Sequence, residues 1–168
     1  DPKTAFGLLL LNELLASSDS SFIKARLVHQ QGLLAGTYSH YDLLNRGDAL
    51  LRIWAEISPS RTETPQAVER LIWAQLSELK TTQVSAQTLD RAKRRLITKR
   101  IYAHDQVEKQ ASEIGELESI GLPWSTLDTQ AQTLRALTPA DIQQLASTYL
   151  TENRFSAAYV SGQEKKHD

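Results

Sequence analysis

The pattern of hydrophobic and polar positions predicts a pair of helices, two strands, a run of helices and one last strand. Residues 3–16 hold Phe6 and six leucines and are apolar on nearly every side, as in a helix that is buried all round. The polar run at 17–21 ends this helix and caps a second, short helix at 21–29. Gly32 is expected to stop that second helix.

Alternation of apolar and polar residues identifies two strands, at 33–41 and 49–58. A turn signal at 42–48 separates them, so we expect an antiparallel pair joined by a loop longer than a tight hairpin. The clear alternation in the second strand implies that one face packs on helices. The aliphatic face of that strand consists of Leu51, Ile53, Ala55 and Ile57.

Apolar residues spaced three and four apart predict the remaining helices. One begins at Thr64-Pro65, and Ser85 caps a longer one. Strands do not alternate with helices, so the pattern favours an α+β fold: a two-layer sandwich with an antiparallel sheet and helices packed on one face. Further helices are expected at about 106–120, 125–136 and 138–150, followed by a last strand at 155–161.

Length and composition fit one globular domain, which we expect to span residues 1–162, with a polar tail at 163–168. The net charge of −1 argues against a nucleic-acid or anionic-membrane binder, and no apolar run is long enough to span a membrane. There is no cysteine, which excludes disulfides and thiolate sites. The chain begins Asp1-Pro2 and contains no methionine, so we expect an internal or C-terminal piece of a longer protein.

The sequence offers no catalytic or metal-binding motif. No histidine has a second histidine within five residues, and the pair His104 and Glu108 is interpreted as a surface contact. Neither a nucleophile elbow nor a glycine-rich phosphate loop is present. The basic run at 91–100 could form an anion patch, but Leu96 and Ile97 interrupt it at core spacing, which favours the solvated face of an amphipathic helix.

One group of residues on the predicted sheet is a candidate binding surface. Its members should share the face opposite the aliphatic one, either as plain solvent-facing surface or as the wall of a cavity or partner interface. Tryptophan, tyrosine and arginine together are enriched at such interfaces. The group consists of Tyr38, His40, Arg52, Trp54 and Glu56.

Four segments in a fixed order point to a known family. NELLASSDSSFIKARLVHQQGLLAGTYSHYD (12–42) joins a helix ending in small polar residues to a short helix, a Gly-Leu step and a strand, and VSAQTLDRAKRRLI (84–97) opens a long helix. IYAHDQVEKQASEIGELESIGLPWSTLD (101–128) and LRALTPADIQQLASTYLTENRFSAAYVSG (134–162) complete the series. Together they resemble the C-terminal, non-catalytic domain of pitrilysin/insulinase zinc peptidases, in particular bacterial processing-peptidase-like members.

The resemblance implies that catalysis and metal binding occur elsewhere. The family's His-x-x-Glu-His motif, which binds zinc and activates water, is absent here, so no catalytic residue and no zinc site are expected in this chain. Many members supply a substrate-contacting arginine and tyrosine from this half. The matching positions are Val28 and Ala35, whose side chains cannot donate a hydrogen bond.

The resemblance also implies partners. A catalytic zinc-binding domain or subunit of the same family and a peptide substrate are expected, and related bacterial proteins favour the periplasm. The family's domain has a strand before the first helix, which this chain starts too late to contain. We therefore expect a bare sheet edge or gap that another chain could fill, including a second copy in a homodimer.

Three functions stay open. The first is a peptidase half-domain that helps to form a peptide-binding chamber opposite a zinc centre. The second is a structural or interaction subunit of a degenerate, inactive family member. The third is an unrelated α+β binding domain, which a different order of helices and strands would support.

Overall fold

The computed structural model describes residues 1–104 and 106–160, with the backbone alone for residues 103 and 104. The fold is α+β, as expected: β1 and β2 form an antiparallel pair, and helices cover one side of it. In chain order the elements are α1 (Pro2–Leu15), a π-helix (Lys24–Gln30), β1 (Leu34–Tyr41), β2 (Leu51–Ile57), α2 (Pro65–Thr81), α3 (Ala86–His104), α4 (Val107–Ser119), a 3-10 turn (Trp124–Leu127), α5 (Gln130–Ala136), α6 (Pro139–Tyr149) and a 3-10 turn (Glu152–Arg154).

α1 lies at the centre of the core and contacts β1, α3, α5 and α6. These neighbours explain why it is apolar on nearly every side, and the interpretation as a buried helix is confirmed. Each fully buried leucine contributes about 1.5–3 kcal/mol relative to an exposed one, so this helix supplies much of the apolar burial. Its buried apolar side chains are Phe6, Leu10, Leu11, Leu14 and Leu15.

β1 and β2 pair in antiparallel register, with Tyr38 opposite Trp54 and His40 opposite Arg52. A register shift between Leu34 and Gly36 leaves an extra residue in β1, which bends the strand as a β-bulge does. Before β1, Gly32 has a φ of 58° and ends the π-helix, because glycine adopts this left-handed conformation without steric cost.

Three of the predicted helix caps are confirmed. The cap expected from residues 17–21 is wrong, because the π-helix has no side-chain cap and the Ser21 hydroxyl donates to the Ser18 carbonyl instead. The Thr64 and Thr138 hydroxyls accept hydrogen bonds from the first turns of α2 and α6, and Ser85 does the same before α3. At α6, Asp141 also accepts a bond from the Thr138 backbone N–H, which completes a capping box. Local sequence therefore sets these three helix starts.

Two predicted elements differ from the structure. The helix expected at 125–136 is divided, because i to i+3 backbone bonds form the 3-10 turn first and the Thr129 hydroxyl then bonds the Thr126 carbonyl before α5 begins. The strand expected at 155–161 is wrong for residues 155–160, which carry no strand pairing. That segment instead lies against α2, where the rings of Phe155 and Trp73 pack edge to face with their centroids 5.1 Å apart. Residue 161 lies outside the described part of the chain.

Candidate functional site

The outer sheet face is the surface of β1 and β2 that points away from the helices. The register places Tyr38 and His40 on it directly across from Trp54 and Arg52, while Glu56 lies opposite Gly36. The alternation of the sequence therefore leads to one shared face, because the side-chain period of a strand is two. The opposite face carries buried Ser39 and Tyr41 and packs on the core.

An aromatic pair forms the middle of the outer sheet face. The ring centroids of Tyr38 and Trp54 lie 5.5 Å apart at an interplanar angle of 31°. The guanidinium of Arg52 lies 5.6 Å from the Trp54 ring centroid, within the range of a cation–π contact. Tyr38 is 55% and Trp54 48% exposed, so half of this aromatic surface is open to a partner.

Asp42 contacts both polar side chains at one end of the outer sheet face, His40 and Arg52. Its carboxylate accepts hydrogen bonds from Arg52 Nη2 at 2.9 and 2.8 Å, and His40 Nε2 lies 2.7 Å from Asp42 Oδ1. Sequence reasoning missed Asp42 because it was assigned to the turn, although 38, 40 and 42 continue the same alternation. Charge-assisted bonds of this kind fix the guanidinium over Trp54 before any ligand arrives.

Glu56 and the two substituted positions complete the sequence-predicted set. Glu56 is exposed and makes no hydrogen bond or ion pair with a described residue, so its carboxylate is free. Val28 lies in the π-helix, packed against the core. Ala35 is exposed at the bulge of β1. Neither side chain offers a polar group, and Val28 does not reach the outer sheet face.

Three of the six cations in the basic run on α3 pair with carboxylates of other helices. Arg95 Nε and Lys99 Nζ donate to the two oxygens of Glu13 at 2.8 and 2.9 Å, and Arg100 pairs with Glu113. Glu13 belongs to α1 and its side chain is only 2% exposed. Sequence reasoning missed this pairing, for which a single acidic residue inside a leucine-rich helix was the available signal.

The chemistry of the outer sheet face is that of binding. Aromatic rings, one fixed guanidinium and a free carboxylate can hold a peptide but include no activated nucleophile. Within residues 1–104 and 106–160, no cluster of three histidine, aspartate or glutamate side chains could hold a metal ion. In the same part of the chain, no helix has the length and apolar character needed to cross a membrane. The side chain of His104 and all of His167 lie outside the described residues.

Comparison with known families identifies the chain. The model of the peptidase M16 inactive domain matches residues 1–96, more than half of the chain. This protein therefore belongs to the peptidase M16 family, as a non-catalytic domain of the C-terminal type, which confirms the resemblance found in the sequence. No protein of curated function matches the chain.

Solved structures show the same fold. The inactive peptidase domain of a predicted zinc protease from Bordetella parapertussis superposes with a TM-score of 0.82 at 22% identity, covering 98% of this chain and 87% of that one. A protease from Helicobacter pylori gives 0.80 at 22% identity, covering 90% of this chain and 36% of that one. The inactive domain of a peptidase M16 from Pseudomonas fluorescens gives 0.75 at 19% identity, covering 88% and 34%. The chain thus spans about a third of the length of the last two.

Proposed function

We propose that this domain forms a non-catalytic wall of the peptide-binding chamber of a zinc peptidase. The zinc ion and the residues that activate water belong to a catalytic domain, either in the same protein or in a partner subunit. Membership in the inactive-domain family supports the division of labour. The observation that carries the chamber role is the outer sheet face, where an aromatic pair and a fixed arginine lie exposed side by side.

This surface suits an unfolded peptide of varied sequence. Aromatic faces bind side chains and peptide planes with little loss of conformational entropy, because Tyr38 and Trp54 are already packed on each other. The guanidinium of Arg52 and the free carboxylate of Glu56 offer opposite charges along β2. The unpaired edges of the hairpin can also pair with an extended backbone, which is independent of sequence.

Fluorescence anisotropy with labelled β-casein, an unfolded protein, tests the binding role. Trp54→Ala removes one ring of the aromatic pair and its contact with Arg52, so we expect the affinity for β-casein to fall about tenfold. Trp124→Ala is the matched control, since Trp124 is 55% exposed but lies in the 3-10 turn after α4. Equal losses in both variants, or none in Trp54→Ala, would contradict the proposal.

Zinc content and peptide hydrolysis test the division of labour. The full-length protein, or this chain mixed with its catalytic partner, should contain stoichiometric zinc and cleave peptide, whereas this chain alone should do neither. Turnover by the isolated chain would refute the assignment of catalysis to another domain.

A structural subunit is the second candidate, favoured by Val28 and Ala35. In the family resemblance these positions carry the substrate-contacting arginine and tyrosine, and here one packs on the core and the other has only a methyl group. A preceding domain or neighbouring gene with His-x-x-Glu-His favours the chamber wall. Its absence favours the structural subunit.

The proposal includes three further expectations. Residues 1–162 form one domain with a polar tail at 163–168, the protein acts in the periplasm, and the free hairpin edges allow a homodimer. Light scattering after gel filtration tests the last of these. A strictly monomeric chain at all concentrations counts against pairing through the sheet edge.

A further inference from the structure

A cleft of about 430 Å³ opens beside the outer sheet face, where the end of β1 meets α1, α3, α4 and α5. Its volume lies within the range of about 300–1,000 Å³ typical of ligand pockets. His40 and Asp42 line the cleft and also belong to the outer sheet face. A chain lying along that face would therefore pass the mouth of the cleft.

The cleft has apolar walls built from distant segments of the chain. Five leucines contribute, from α1, the loop after β1, α3 and the 3-10 turn after α4. Leucines from four separate elements around one opening form a site suited to an aliphatic side chain, because each CH₂ group taken out of water contributes about 0.8 kcal/mol. These residues are Leu9, Leu43, Leu44, Leu96 and Leu127.

A buried amide without a partner faces this apolar lining. Gln130, at the start of α5, is only 6% exposed, and its side chain makes no hydrogen bond with any described residue. Close by, the Nε of Arg100 is buried and also has no acceptor in the same part of the chain. The polar atoms of the Gln130 amide are not among the fully buried, unsatisfied ones, so they stay open to the cleft, where a ligand offering one donor and one acceptor can pair with them.

The charges around the cleft select against an anion. Arg100 is paired with Glu113, and Lys99 with Glu13. The carboxylate of Glu116 accepts a hydrogen bond from a serine hydroxyl and has no cationic partner among the described residues. Glu13 is shared with Arg95, so three cations face the three carboxylates of Glu13, Glu113 and Glu116, and no excess positive charge is left to attract a phosphate or carboxylate ligand.

We propose that this cleft binds one aliphatic residue of the peptide, with its side chain among the leucines and its backbone amide hydrogen-bonded to the Gln130 side chain. In an extended chain the N–H and C=O of one residue point to the same side, so they can pair with the acceptor and the donor of the Gln130 amide at once. The cleft would make the chamber prefer leucine-like residues at one position. The identity of the biological ligand rests on the proposed function, whereas the binding test does not depend on it.

N-acetyl-L-leucinamide is the minimal probe of this chemistry. Titrated into the ¹⁵N-labelled chain, it should shift the side-chain NH₂ signals of Gln130 and the backbone signals of Leu43 and Leu44 in a saturable way, with a Kd in the millimolar range. N-acetylglycinamide, which lacks the isobutyl group, and N-acetyl-L-leucine, which carries a carboxylate, should each bind at least about tenfold more weakly.

Two variants separate the polar and apolar parts of the site. Gln130→Leu should weaken N-acetyl-L-leucinamide about tenfold, equivalent to about 1.4 kcal/mol. Leu44→Trp, in the half-buried loop after β1, should fill the cleft and abolish binding even if Gln130→Leu proves unstable. Leu71→Ala should leave the affinity unchanged, because Leu71 is exposed on α2 and does not line the cleft.

The results of these experiments distinguish the cleft from the chamber wall. Loss of β-casein binding in Trp54→Ala without any cleft response to the leucinamide supports the chamber wall and overturns the cleft. A cleft response without β-casein binding supports the cleft and overturns the chamber wall. Equal affinity for leucinamide and glycinamide, or an unchanged affinity in Gln130→Leu and Leu44→Trp, also overturns the cleft.

Discussion

The buried ion triad of Glu13, Arg95 and Lys99 makes the sharpest prediction about stability. Glu13 lies in the last turn of the apolar core helix, with a side chain 2% exposed, and its two oxygens accept bonds of 2.8 and 2.9 Å from cations on α3. A carboxylate taken out of water loses several kcal/mol of solvation, and the cations offset that loss. We therefore expect the largest loss of stability when the carboxylate of the triad is kept and its cations are removed.

Removing the cations leaves the charge uncompensated. The double variant Arg95→Met/Lys99→Met should lose about 3–5 kcal/mol, because a buried charge keeps no partner. Lys99→Met alone should cost about 1 kcal/mol, since that side chain is 60% exposed and Arg95 remains. Glu13→Gln should cost about 2 kcal/mol, because it removes two charge-assisted bonds but lets both cations reach solvent.

Removing all three charges should restore stability. The triple variant Glu13→Leu/Arg95→Met/Lys99→Met replaces the triad with apolar groups of similar volume, which is often neutral or stabilising. We expect it within about 1 kcal/mol of the unmodified chain and at least 2 kcal/mol above the double variant. Urea unfolding followed by circular dichroism measures these differences without adding salt. A double variant that loses less than 1 kcal/mol, or a triple variant less stable than the double, would refute the reasoning.

Four further substitutions test other parts of the fold. The bond from Lys3, followed by the Thr138 cap, lowers the pKa of Asp141 from 3.8 to about 2, so its contribution is present above pH 4 and is lost as pH falls towards 2. Asp141→Asn should cost about 1–2 kcal/mol in urea unfolding at pH 7 and less than half of that at pH 2, where the carboxyl group is partly protonated, and a loss independent of pH contradicts this. Val28→Arg should destabilise by about 1–3 kcal/mol because the site packs on the core, whereas Ala35→Tyr should change stability by less than about 0.5 kcal/mol. Leu10→Ala should cost about 2–5 kcal/mol, and a smaller loss in thermal unfolding would show that the core closes over the gap.

Local sequence explains much of the architecture. The buried helix, the antiparallel pair and the three helix caps all follow from periodicity and from residues next to one another in the chain. The shared face of Tyr38, Arg52 and Trp54 follows as well, because the two-residue period of a strand sends alternate side chains the same way. The family also followed from the sequence, through four segments that are individually weak but occur in a fixed order.

Other features depend on contacts between distant segments. Residues 155–160 have strand-like composition, yet a strand needs a neighbour to pair with, and in the structure this segment lies on α2 instead. Composition cannot tell whether a pairing partner is present. The division of the helix expected at 125–136 has a different, local origin, because the Thr129 hydroxyl competes for the backbone carbonyl of Thr126.

The sequence by itself determined most of the helices, the antiparallel pair with its inward and outward faces, and the family, since those depend on residues a few positions apart. Only the tertiary structure decided which side chains from distant segments contact one another. It brought Glu13 to cations 82 and 86 positions away, aligned Arg52 through Asp42, and left the Gln130 amide unpaired beside leucines from four elements. The reason is physical: periodicity reports which side of an element avoids water, whereas a binding site depends on the three-dimensional distance between side chains, which spacing along the chain does not specify.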